Sequence, residues 1–209
     1  MKKLTSISMI MVLCAGLLSG CGTSFTADVN TVYVEKNGKV LTVDVETFEE
    51  GYYSEDELRE FINEEVDAYT ADNGSGSVKL SKLTVEDGTA KMEMAYKTVE
   101  DYSAFNGIEL YQGSAVKALA AGYRFDEEFS KVTDGQISGS ASKEEIYEQD
   151  DLQVVIIKAN TSVQVDGEIQ YVSTENVTVT GTNTVTISDG GDEEDTSFET
   201  DVYTYIVYK

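Results

Sequence analysis

Along much of this 209-residue chain every second residue is apolar, and the alternation is cut by turn dipeptides such as Asn37-Gly38, Asp87-Gly88 and Asp166-Gly167. A period of two puts successive side chains on opposite faces of a strand, whereas an amphipathic helix needs a period of 3.6. Such segments therefore pair as half-buried strands. Val32 and Val34, then Asn37-Gly38, then the alternating run 40–45 predict a first hairpin. Asn-Gly suits the two positive-φ positions of a type I′ turn. A second hairpin is written as 78–86, Asp87-Gly88 and 89–97, with Ala90, Met92, Met94 and Tyr96 on one face. The apolar phase changes between Leu80 and Leu83, which predicts a bulge.

Between the hairpins the period changes. Ser54-Glu55-Asp56-Glu57 matches a capping box, in which the Ser hydroxyl and the Glu carboxylate satisfy backbone N–H groups at a helix start. Leu58, Phe61, Ile62, Val66 and Tyr69 follow at helical spacing and define an apolar face, while Glu60, Glu64, Glu65 and Asp67 form a solvated one. This helix should end near Ala71 and lie across a sheet made by both hairpins. Shorter helices are expected over 99–105, stopped by Asn106-Gly107, and over 114–121, stopped by Gly122.

Past residue 150 the pattern is all strand. The β-branched run 154–157 predicts a strand buried on both faces. The pairs Val163/Val165, Ile169/Tyr171, Val177/Val179 and Val185/Ile187 predict a meander of short strands, with one or two turns of a β-solenoid as the lesser reading, and 201–208, apolar on both faces, an interior strand. The fold class is α+β: a hairpin-helix-hairpin unit followed by a β-rich C-terminal half of short antiparallel strands. The units are 30–137 and 150–209, separate or one continuous domain, with the polar region 138–151 as the candidate linker.

Composition narrows the chemistry. There are 39 acidic against 15 basic residues, a formal charge of -24, no His, no Pro, no Trp and two Cys. That charge repels phosphate backbones and anionic head groups, disfavouring nucleic-acid binding and electrostatic membrane docking. Cationic or neutral partners remain. Without His there is no Ser-His-Asp catalysis, imidazole metal ligation or imidazole proton shuttle. Two mechanisms survive. Ser114/Lys117 and Ser140/Lys143 have S-x-x-K spacing, but the partner motifs S-D-N and K-T-G are missing. A glycosidase-type carboxylate pair needs only two Asp or Glu across a cleft. The 13 Tyr, among them Tyr33, Tyr96, Tyr171, Tyr203, Tyr205 and Tyr208, are good strand formers. Tyr exposed on a sheet face would instead make a glycan or peptide platform, with Tyr52-Tyr53 a first candidate. The run 189–201 holds seven carboxylates and no base and reads as a solvated turn, with a weak calcium site as the minority reading.

The N-terminus carries Lys2 and Lys3, an apolar stretch over 4–18 too short to span a bilayer comfortably, and then Leu18-Ser19-Gly20-Cys21. This segment resembles the lipobox of bacterial prolipoproteins. The resemblance implies that the Cys21 thiol receives a diacylglyceryl group, that residues 1–20 are removed as a signal peptide, and that the mature chain starts at Cys21. Cys14 would be lost with the signal, so the mature chain would have no disulfide and no free thiolate. It would keep 13 basic against 39 acidic residues, a formal -26. Residues 21–29 would be a short tether. Beyond the lipobox, the chain loosely resembles uncharacterised surface lipoproteins of Gram-positive gut bacteria, which implies no particular activity. The expected protein is lipid-anchored on the extracytoplasmic face of the cell membrane. It would be a non-enzymatic binding or interaction module for an envelope protein or glycan, without cofactor or metal. The alternative is a carboxylate-dependent glycan hydrolase.

Overall fold

Strands β1 (Thr31–Val34) and β2 (Val40–Thr47) form the first hairpin where the alternation places it. The computed structural model describes residues 25–48, 54–188 and 199–209. The turn differs from the type I′ expected. Val34 pairs with Val40, Gly38 N–H donates to Glu35 O at 2.9 Å, and Gly38, unlike Asn37, has positive φ (87°). This is a type I turn closed by a glycine bulge. The Asn37 side chain instead accepts from Lys39 N–H at 2.8 Å, an Asx turn that holds Asn37 without left-handed backbone.

Helix α1 (Glu55–Asn73) starts on the capping box: Ser54 N–H donates to Glu57 Oε2 at 2.8 Å and Glu57 N–H to Ser54 Oγ at 3.2 Å. Ile62 is buried, and Leu58, Val66 and Tyr69 pack on the core beside it, but Phe61 is 60% exposed. The reason is angular. At 100° per residue, positions 58, 62, 66 and 69 share one stripe, and Phe61 lies about 95° from its centre.

The second hairpin, β3 (Val78–Glu86) and β4 (Thr89–Tyr96), turns at Asp87 and Gly88, both at positive φ. Its register shifts between Leu80 and Lys82, the bulge that the phase change predicts. Then follow α2 (Val99–Asn106), β5 (Leu110–Ser114), α3 (Ala115–Ala120), β6 (Phe129–Thr133), β7 (Gln136–Ala141) and α4 (Lys143–Tyr147). The β6–β7 hairpin turns on Asp134-Gly135, again both at positive φ, and was not expected from the sequence. The candidate linker 138–151 contains the end of β7 and all of α4, whose Ile146 is fully buried. It is polar because β7 is exposed and α4 opens with a capping box from Ser142 to Glu145.

The remaining strands are β8 (Gln153–Ala159), β9 (Ser162–Val165), β10 (Ile169–Ser173), β11 (Val177–Val179), β12 (Thr184–Ile187) and β13 (Glu199–Tyr208). They do not form one sequential meander. One sheet has the order β11-β12-β9-β1-β2-β4-β3, the other β5-β8-β13-β10-β6-β7. β9 runs parallel to β1, whereas β10 crosses to the second sheet. The crossing falls at Gly167, where any side chain would run into the Lys209 carbonyl and the Tyr208 ring. Glu168 and Lys209 exchange backbone bonds of 3.0 and 3.1 Å there.

One apolar cluster joins the sheets: Val32, Val34 and Val163 from the first, Val155, Ile157 and Ile206 from the second, with Ile62 of α1 and Tyr102 of α2. A second cluster, with Val154, Ile156, Tyr205 and Val207, lies under α3, α4 and Phe125. The 154–157 run is thus buried on both faces, and β13 sits between β8 and β10 as an interior strand. Each such Val or Ile contributes about 1.5–3 kcal/mol of burial. The fold is α+β and β-rich.

Candidate functional site

Where β5, β8 and β13 meet, three tyrosines converge on the helix-covered side of the second sheet. Tyr111 lies opposite Ile156 of β8, and Tyr203 alternates onto the same face as Tyr205 and Val207. Tyr123 comes from the exit of α3. There Gly122 reverses the chain and Tyr123 N–H donates to Ala118 O at 3.0 Å, which fixes the residue's position. The ring centroids are 4.9 Å apart for Tyr111 and Tyr123, and 5.7 Å for Tyr123 and Tyr203, the latter pair perpendicular. These spacings suit mutually attractive aromatic pairs.

One carboxylate locks the arrangement. Tyr203 Oη donates to Glu109 Oε2 at 2.8 Å and Tyr123 Oη to Glu109 Oε1 at 3.3 Å. Burial and then the Glu109 charge push the Tyr123 hydroxyl up to about 12, and the Tyr203 hydroxyl is raised by burial and its bond to Glu109. Both therefore stay protonated and remain donors. Lys158 Nζ sits 4.4 Å from the Tyr203 ring centre, a cation–π contact on the same patch. Tyr111 folds back over Gly113, where a Cβ would stand 2.6 Å from its Oη, so the missing side chain lets the ring lie down.

All three rings are half-buried, so each keeps part of its surface exposed to solvent. A stepped aromatic surface rimmed by a carboxylate, hydroxyls and an ammonium suits a ligand with one apolar face and a polar edge, such as a sugar ring. Glu109 keeps lone pairs for such a ligand.

Of the tyrosines singled out in the sequence, only Tyr203 belongs to this group. Tyr33, Tyr96, Tyr205 and Tyr208 are buried, and Tyr171 accepts from Gln149 Nε2 at 2.8 Å. Tyr111 and Tyr123 were missed. Their signals were an aromatic residue two before a strand glycine and one directly after a helix-stopping glycine. Cys21, Tyr52-Tyr53 and residues 189–198 of the acidic run lie outside the described residues.

The S-x-x-K pairs have other work. Ser114 caps α3, its hydroxyl accepting from Lys117 N–H at 3.4 Å, and Lys143 Nζ is bound to Asp126 at 2.9 Å. Among the carboxylates, Asp44 is pushed up to about 6, first by burial and then by Glu46, against a 3.1 Å bond from the Thr42 hydroxyl. Asp44 and Glu46 project from one face of one strand, about 7 Å apart along it, rather than from opposite walls of a cleft. No family model, curated protein or solved structure matches this chain.

Proposed function

We propose that this chain is a lipid-anchored protein of the extracytoplasmic membrane face, held through Cys21, and that it is a non-enzymatic module binding neutral envelope glycan. The tyrosine platform carries this reading: Tyr123 and Tyr203, both bonded to Glu109, and Tyr111, packed on the Tyr123 ring, form a preorganised surface that loses little side-chain freedom on binding. A neutral ligand suits the strongly acidic chain.

The test is to screen the full chain against an array of neutral oligosaccharides and to titrate any hit by tyrosine fluorescence, which no Trp obscures. Tyr123→Ala and Tyr203→Ala should each weaken binding about 3- to 10-fold, the worth of one aromatic contact. Unchanged affinity in the double variant would refute the platform. Release of shortened sugars would favour the hydrolase instead.

A further inference from the structure

The opposite side of the molecule carries a second feature, and its sign is contrary to the net charge. On the outer face of the first sheet a groove of about 850 Å³ has Leu41 and Ala95 in its lining and is bordered by Lys39, Lys79, Lys82 and Lys97. One carboxylate, Glu93, is among the lining residues. Four of the 13 basic residues that follow position 20 thus gather at one groove of a chain with 39 acidic residues.

The placement follows from strand register. Lys79 pairs with Ala95 and Lys82 with Glu93, so both share the outer face. The bulge after Leu80 is what brings Lys82 there, because unbroken alternation would turn it inward with Leu80. Lys79, Lys82 and Lys97 are exposed, and among the described residues they have no ion-pair partner. Glu35 lies 3.5 Å from Lys39.

Phe25 lines the same groove and stacks on Tyr33 at 5.2 Å. It follows Cys21 by four residues, so the covalent reach between them is no more than about 14 Å whatever the path. An acylated Cys21 would therefore hold this groove close to the bilayer. Total charge disfavours an anionic surface at long range, but at physiological salt the field of distant carboxylates is screened beyond about 8 Å. At contact, the nearest charges decide.

We propose that the lysine groove is the membrane-facing surface of the anchored protein and takes the anionic head groups of phospholipids in the bilayer that holds it. This rests on acylation of Cys21, as proposed above. It leaves the tyrosine platform, on the far sheet, directed away from the membrane.

The test uses the full chain produced in a bacterial host and purified from its membranes. The protein is studied in detergent, in phosphatidylcholine vesicles and in vesicles rich in phosphatidylglycerol. A short pulse of amine acetylation is read by peptide mass spectrometry. Lys79, Lys82 and Lys97 should acetylate about fivefold more slowly on phosphatidylglycerol vesicles than in detergent, the preference of one lysine for an anionic surface. Lys117, on the opposite side, should label equally in all three. Charge reversal at two exposed positions, Lys79→Glu with Lys97→Glu, should abolish protection of Lys82, with circular dichroism verifying the fold. An N-terminal peptide without acyl mass overturns the anchor and the orientation together. Acyl mass without protection overturns the orientation alone. Protection by inorganic phosphate in detergent assigns the groove to a soluble anion and overturns the lipid occupant.

Discussion

Replacing Asp44 by Asn should make the protein more stable at neutral pH and leave its stability nearly unchanged in acid. Asp44 is half-buried on the core-facing side of β2, opposite Met92 and between Thr42 and Glu46 on the same face. Burial first, and the Glu46 charge second, raise its carboxyl from 3.8 to about 6 in the folded state. A carboxyl whose pKa rises on folding binds its proton more tightly when folded. Below about pH 4 the proton is on in both states and nothing is lost. As pH climbs from 4 to 6 the unfolded chain releases the proton while the folded chain keeps it, so stability falls. Above 6 the whole penalty is present. About two pKa units at 1.36 kcal/mol each amount to about 3 kcal/mol at pH 7.

Asn abolishes that titration and keeps a carbonyl oxygen for the Thr42 hydroxyl. Urea unfolding of both proteins at a series of pH values, followed by tyrosine circular dichroism, gives the difference directly. The many other carboxylates cancel in that comparison because both proteins share them. The stabilisation should grow from near zero at pH 3.5 to about 3 kcal/mol at pH 7. A difference flat with pH, or a less stable D44N at neutrality, would show that Asp44 is not desolvated and would refute the reasoning.

The angular argument for α1 separates neighbours: Ile62→Ala should cost about 2–5 kcal/mol in urea unfolding, and Phe61→Ala no more than about 0.5 kcal/mol. A large loss at Phe61 would mean that the helix is rotated from the stripe described. Gly167→Ala should cost about 1–3 kcal/mol by forcing backbone apart where β10 crosses between sheets. Amide exchange should quicken at Glu168 and Lys209, whose mutual bonds close that corner; unchanged exchange at both would show that the corner has room for a methyl group.

Everything legible in the sequence acts over a few residues. The Ser54–Glu57 capping box closes within one helical turn, Asp87-Gly88 needs only its own φ angles, and the doubly apolar 154–157 run states its burial without naming its neighbours. Asp134-Gly135 carries the same hairpin signal as Asp87-Gly88, so β6 and β7 were legible too. Sheet membership was not. Alternation says that β9 and β10 are strands, but nothing local says that one lies parallel to β1 while the other crosses to a different sheet. Even Phe61 falls here, since helical spacing admits it to the apolar face and only the position of the sheet decides which stripe is covered.

Both proposed surfaces belong to the same class. Glu109 and Tyr203 bond across 94 positions in sequence, and Lys39 reaches the groove of Lys79, Lys82 and Lys97 through the pairing of β2, β4 and β3. Periodicity encodes which face a side chain takes along its own strand; which distant side chains share that face is set when strands pair and sheets pack, by burial summed over the whole chain.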